Sequence, residues 1–350
     1  MALTVVSVAY PFATAGPDAV GGAEQVLAAV DSALVRAGHR SIVIAQDGSR
    51  TDGTLVPIPP HKGIVDSAAY SSIHQHVRNA IAHTLDRWPV DVFHFHGVDF
   101  DAYLPPDGTA ALATLHLPVD WYRQTALRPA RPRTVLACVS ETQRRALGAR
   151  ADNVLVVPNG VAIDERRASD RREPFALALG RVCPEKGYEH ALDAARLAGC
   201  PLLLAGRIFP YDLHQRYFNE KIAPRLDENR RFIGPVVGDA KRRLLRRGRC
   251  LLVPSVVAET SSLVAMEALA AGTPVVAFPR GALAELIEDG VTGFLVRSVP
   301  EMADAILRTD CLDRDVCIAT ARARFSETRM IDRYVSVFRA LASGGSADAS

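Results

Sequence analysis

Short apolar runs recur along the chain and alternate with stretches whose apolar positions return every three or four residues. The runs in the first half are TVVSVA (4–9), SIVIA (41–45), DVFHF (91–95), ALATL (111–115), TVLACV (134–139) and VLVV (154–157). Runs with few polar positions predict strands buried on both faces, hence a parallel sheet covered by helices. After the first run, Val26, Leu27, Val30, Leu34 and Val35 mark one face of a helix that Gly38 is placed to close. The charged segment DERRASDRRE (164–173) lacks this periodicity and reads as a linker. Beyond it the same rhythm restarts with FALAL (175–179), PLLLA (201–205), RFIG (231–234), CLLVP (250–254), PVVAF (274–278) and TGFLV (292–296). The pattern predicts two successive doubly wound α/β domains, 1–163 and 174–325. A terminal helix over 326–343 and a frayed tail over 344–350 follow.

The 350 residues carry 41 basic and 39 acidic side chains, a net charge of +2. So balanced a surface lacks the broad basic field of a nucleic-acid protein, and any bound anion must be held locally. Only four of the basic residues are lysine: Lys62, Lys186, Lys221 and Lys241. The opening MALTVVSVAYPFATA ends in an A-x-A-like trio, but no cation precedes its apolar run, which serves better as a first strand than as a leader. Glu267, Gly272 and Pro274 interrupt the longest apolar candidate for a membrane span. The expectation is a soluble, cytoplasmic protein; peripheral membrane contact gains no support. The six cysteines contain no C-x-x-C pair and read as reduced core thiols, forming neither a disulfide framework nor a zinc site.

Ligands of such sheets bind beyond the carboxyl ends of the strands. After the first strand, Gly21-Gly22 open a helix where an anion can approach bare backbone amides, although the spacing is not G-x-G-x-x-G and a plain tight turn fits equally. After FALALG come Arg181 and, five residues on, Lys186. Cations at a helix start oppose its dipole unless an anion such as a diphosphate joins them; a surface pair of Lys186 with Glu185 or Glu189 is the alternative. The segment AETSSLVAMEALAAGTPVV holds Glu259 before a helix and Glu267 two turns into it. Thr260, Ser261 or Ser262 is placed to cap that helix and Gly272 to end it. A carboxylate on so apolar a helix needs a partner.

These pieces together resemble the retaining glycosyltransferases of family 4. They are Gly21-Gly22, the strand-end His116, P-N-G-V (158–161), G-R-V-C-P-E-K-G (180–187), F-I-G-P-V (232–236), and the glutamate pair followed by A-A-G-T-P-V-V. The resemblance implies a GT-B fold of two Rossmann-like domains facing a central cleft, with the terminal helix packing back on the first. It implies a nucleotide sugar donor, a UDP-sugar at family level, on the second domain and an acceptor on the first. Arg181 and Lys186 match the residues that grip the diphosphate, assisted by backbone at Gly21, Gly22, Ser262 and Leu263. Glu259, with Thr260 and Ser261, matches the sugar-binding segment, Glu267 the ribose ligand, and Val236 and Val237 the packing around the base. His116 matches a histidine near the reacting carbon, and His116, Arg181, Lys186 and Glu259 form the catalytic set. Many members have E-G-F-G-L where this chain has Glu259-Thr260-Ser261-Ser262-Leu263; the added side chains bear on which sugar is accepted.

Weaker signals complete the reading. His94-x-His96 and Asp99-x-Asp101 draw a metal site on paper, yet cationic side chains take the metal's role in the enzymes resembled, so no metal and no other cofactor is expected. Arg242, Arg243, Arg246, Arg247 and Arg249 read as a solvated basic helix face in preference to an RNA or membrane surface. His74, His76 and His83 read as surface residues. The acceptor, a small molecule or glycan, is left to candidates such as His96, Trp121, Tyr122 and the loop around Asp18. The rival readings are a nucleotide-sugar epimerase of the same fold and a non-catalytic nucleotide-sugar-binding protein.

Overall fold

The computed structural model describes residues 2–61, 63, 65–129, 131–163 and 172–344. The linker positions 164–171, the tail positions 345–350 and Lys62 lie outside the described residues. Contacts divide the chain into two units, Met1–Asn159 with Arg329–Ser350, and Gly160–Thr328.

The first unit is built on β1 (Thr4–Val8), β2 (Arg40–Gln46), β3 (Thr54–Ile58), β4 (Val92–Phe95), β5 (Ala111–Leu115), β6 (Thr134–Cys138) and β7 (Val154–Val156). Their order is β3-β2-β1-β4-β5-β6-β7, every pairing parallel. Each apolar run has become a strand, and β1, β4 and β5 are buried throughout. The strand TLVPI (β3) has no counterpart among those runs. It is an edge strand with Thr54 and Pro57 exposed and only Ile58 buried, and proline is tolerated at an edge where one row of amides has no strand to pair with. The helix Gly22–Arg36 buries Val26, Leu27, Val30 and Leu34, whereas Val35 faces outward.

The terminal helix, Glu327–Ala342, completes this unit as expected. It buries Met330, Tyr334, Val337, Phe338 and Leu341. The rings of Tyr334 and Phe338 lie 4.9 and 5.3 Å from that of His94 on β4, and the Tyr334 hydroxyl is 3.2 Å from Thr114 Oγ1 on β5.

The second unit is built on β8 (Ala176–Leu179), β9 (Leu202–Ala205), β10 (Arg230–Phe232), β11 (Cys250–Val253), β12 (Val275–Ala277) and β13 (Gly293–Leu295). The order is β10-β9-β8-β11-β12-β13, again parallel. In both sheets the strand order reverses beside the first strand, between β1 and β4 and between β8 and β11. A crevice for ligands opens at such a point. Among the described residues no helix is long and apolar enough to cross a membrane.

Candidate active site

At the switch point of the second unit, two loops meet. The loop after β8 carries Arg181, turns once through Pro184–Lys186, and enters the helix Tyr188–Leu197. The loop after β11 runs from Pro254 to Ser262, and its Val256 amide donates to Glu185 O at 3.0 Å, joining the two. Across that junction Lys186 Nζ lies 2.6 Å from Glu259 Oε1, with side chains 23% and 10% exposed. The Ser255 hydroxyl donates to the same oxygen. Lys186 therefore pairs with the distant Glu259 in place of its neighbours Glu185 or Glu189, and Glu189 accepts from Tyr217. Arg181 is exposed and forms no direct ion pair among the described residues, leaving its guanidinium available to an anion.

Glu259 is fixed by its backbone as well. Its amide donates to Arg280 O at 3.3 Å, and Ala282 N–H donates to its carbonyl at 2.8 Å. Between those partners, Gly281 has φ +62°, and a Cβ there would collide with the Glu259 main chain. Glycine is required on both counts. The sequence reading missed this support; its trace was the glycine just beyond the run PVVAF.

The helix after Glu259 spans Leu263–Ala270. Ser262 occupies the N-cap position, buried, but its side chain makes no capping bond. The first-turn amides thus lack an intrahelical acceptor. Because the helix begins only at Leu263, Glu267 lies one turn along it and not the expected two, and its Oε1 meets Lys241 Nζ at 2.6 Å, with side chains about one-fifth exposed. Lys241 belongs to the helix Gly238–Arg247, which Val237 precedes; Val237 is exposed and Val236 half-buried. Arg242, Arg243 and Arg247 are exposed, as a solvated face requires; Arg242 pairs locally with Asp239, whereas Arg247 and the half-buried Arg249 reach Glu173 and Asp310 in distant segments.

In the first unit, His116 follows β5 and stacks on His96, which follows β4, with ring planes 10° apart. His96 Nδ1 is 3.0 Å from His116 Nε2. Burial lowers the pKa of both rings, with neighbouring histidines adding to it for His96; that of His116 falls to about 3. Both rings are therefore neutral at pH 7. His96 is 2% exposed, which places this acceptor candidate beneath His116. Trp121 is 54% exposed, while its neighbour Tyr122 is buried, and Tyr122's hydroxyl accepts from the Leu117 amide. Tyr122 is thereby a support of the His116 loop.

Gly21 and Gly22 begin their helix without positive φ. A Cβ on Gly21 would collide with the Glu24 carboxylate, so in this structure an internal acid lies against that helix N-terminus. Two other expectations need correction. His74 is buried, its Nε2 2.7 Å from Asp99 Oδ2, and Tyr103 donates to Asp99 Oδ1 at 2.7 Å. Asp99 thus has both carboxylate oxygens engaged within the fold, whereas His76 and His83 are exposed as expected. Five cysteines are buried, but Cys311 is exposed. Among the described residues, one group brings three metal-type ligand atoms together, and it is not H-x-H with D-x-D. It is Cys183 and Glu185 of the Arg181 to Lys186 loop with His214 of the helix Asp212–Tyr217. Burial raises the Cys183 thiol to about 11.

Comparison with known proteins covers both units. The family described as Glycosyltransferase Family 4 matches residues 20–165, and that described as Glycosyl transferases group 1 matches residues 173–309. The phosphatidyl-myo-inositol mannosyltransferase of Mycobacterium leprae (strain TN) is 28% identical over 84% of this chain and 84% of its own. A D-inositol 3-phosphate glycosyltransferase of Geodermatophilus obscurus is 34% identical over 56% of this chain and 49% of its own. Among solved structures, Anabaena HepE in complex with UDP and glucose superposes with a TM-score of 0.72 at 19% identity, covering 96% of this chain and 99% of that one.

Proposed function

The chain belongs to the family 4 glycosyltransferases with the GT-B fold, and from that premise we propose that it transfers a hexosyl group from a UDP-sugar, retaining the anomeric configuration and placing no metal on the diphosphate. The observation that carries this reading is the Lys186 to Glu259 pair beside the exposed Arg181. A diphosphate competes with Glu259 for the ammonium of Lys186. Once it does, the carboxylate is released toward hydroxyl groups of the sugar. In the reaction the bond from the anomeric carbon to the leaving phosphate oxygen breaks as charge grows on the diphosphate. Arg181, Lys186 and the first-turn amides at Ser262 and Leu263 stabilise that charge, and such preorganised donors contribute most where water is excluded. The acceptor oxygen forms the new bond on the same face, and its proton passes to the departing phosphate. Glu267 and Lys241 hold the ribose, and Val236 and Val237 pack the base.

The relatives' names support a phosphorylated inositol, or a polyol like it, as acceptor. Five buried thiols support a reducing compartment, the cytoplasm. The test is turnover with a panel of nucleotide sugars and inositol phosphates, with the product anomer read by NMR. Retention is expected; an inverted product, or donor isomerised without acceptor, overturns the reading. Turnover in excess EDTA is expected to persist, and complete loss restored by manganese but not by zinc overturns the metal-free step.

A further inference from the structure

Cys183, Glu185 and His214 form a group that the transfer reaction does not use. One ligand atom from each lies within 4.8 Å of the others. Cys183 is 1% and His214 8% exposed, and Glu185 is half-buried. Glu185 Oε2 and His214 Nδ1 are fully shielded and have no hydrogen-bond partner. Shielded polar atoms are nearly always satisfied, so two orphans in one cluster require an explanation.

The frame around the group is rigid. Pro184 sits between Cys183 and Glu185 at the start of the turn, and Glu185 O is tied to the Val256 amide. The His214 amide donates to Tyr211 O at 2.9 Å, and its ring packs edge-on against Tyr211 and Phe209. The thiol is too deeply covered to attack a substrate. A thiolate, an imidazole and a carboxylate instead make a mixed S, N, O donor set. Their combined charge of two negatives balances a divalent cation. Magnesium and calcium prefer all-oxygen sites, whereas zinc accepts this set with a water in the fourth position.

We propose that Cys183, Glu185 and His214 bind a zinc-class divalent cation where the loop that carries Arg181 and Lys186 meets the helix bearing His214. Binding replaces the sulfur–hydrogen bond of Cys183 by a sulfur–metal bond, and the proton leaves to bulk water. The two orphaned atoms turn to the ion and its water, and the helix bearing His214 is stapled to the loop. That staple would hold Arg181 and Lys186 in register for a diphosphate, a consequence resting on the donor reading; the metal site itself does not.

The test uses the full chain stripped of metal and titrated with cobalt(II) in the absence of any nucleotide. One equivalent is expected to give a thiolate-to-cobalt charge-transfer band and tetrahedral d–d bands, both displaced by zinc. Cys183→Ser should abolish the charge-transfer band, His214→Ala should weaken binding roughly tenfold or more, and Cys311→Ser should change neither. If Cys183→Ser does not fold, Glu185→Gln and His214→Gln carry the test through their weakened binding and shifted d–d bands. No binding in the micromolar range overturns the site, as does a charge-transfer band that survives Cys183→Ser or disappears in Cys311→Ser. Because no donor is present, failure here leaves the transfer reaction untouched. Failure of zinc-loaded protein to bind any nucleotide speaks against the donor site instead.

Discussion

Lys186 and Glu259 stand 73 residues apart in the chain and 2.6 Å apart in the fold, one on each of the two loops that close the switch point of the second sheet. The lysine is never an idle cation. On the proposed function, a diphosphate must take it from the carboxylate assigned to the sugar, so phosphate recognition and release of that carboxylate are one event.

Lys186→Ala should therefore weaken nucleoside diphosphate binding about 10- to 100-fold, the range for a charge-assisted hydrogen bond to a partly shielded group. Lys186→Arg should restore part of the loss, since charge survives while the compact ammonium does not. Calorimetric titration with UDP checks both, and an unchanged affinity in the alanine variant would remove the donor site from this loop.

Gly281→Ala tests the backbone beneath Glu259. A side chain at φ +62° that also meets the Glu259 main chain should cost about 1 to 3 kcal/mol of stability. The displaced Glu259 should lower kcat further than the remaining folded fraction explains. Urea unfolding alongside turnover separates the two, and full activity in a stable variant would mean that Glu259 does not depend on this contact.

Glu267 and Lys241 should behave as a unit. Glu267→Gln and Lys241→Met are each expected to weaken UDP more than inorganic pyrophosphate if the pair serves the ribose as proposed. In the double variant the losses should fall short of additivity. Stability should change by less than about 1 kcal/mol, as both side chains keep contact with water. Equal losses for UDP and pyrophosphate would move the pair to the phosphates.

Acid should destabilise the first unit through its histidines. His94, His96 and His116 are held neutral in the fold chiefly by burial, with folded values below the ordinary 6.5. Below pH 6.5 the unfolded chain takes up protons that the folded chain refuses, so stability falls as pH falls, down to about 3 for His116. Each ring contributes a slope of up to about 1.4 kcal/mol per pH unit. Urea midpoints between pH 7 and 5 measure this, and His96→Gln should flatten the dependence. An unaltered slope would mean that His96 is not neutral in the fold.

The architecture was largely legible because a buried strand leaves an apolar run; eleven of the twelve runs became such strands, and the twelfth, RFIG, marks the half-buried edge strand β10. β3 escaped because an edge strand needs no such run and can carry Pro57. Positions for Arg181, Lys186, Glu259 and Glu267 were readable from strand ends and helix starts. Their ion partners were not, since nothing local in the chain says that Lys241 faces Glu267 or that Lys186 passes over Glu185 for Glu259. His74 misled for the same reason. A polar ring on a helix reads as solvated until Asp99 arrives from another element. The grouping of Cys183 and Glu185 with His214 was invisible to a search for paired cysteines, because its third member comes from the far side of β9.

Tyr334 and Phe338 cover His94, a residue made some 240 positions earlier. During synthesis, the opening sheet must wait while the entire second unit emerges before its last helix can seal it. A nascent chain halted before that point would show water the inner face of β4, a histidine that the finished fold keeps dry. The order of translation thus makes the second unit the first that can close.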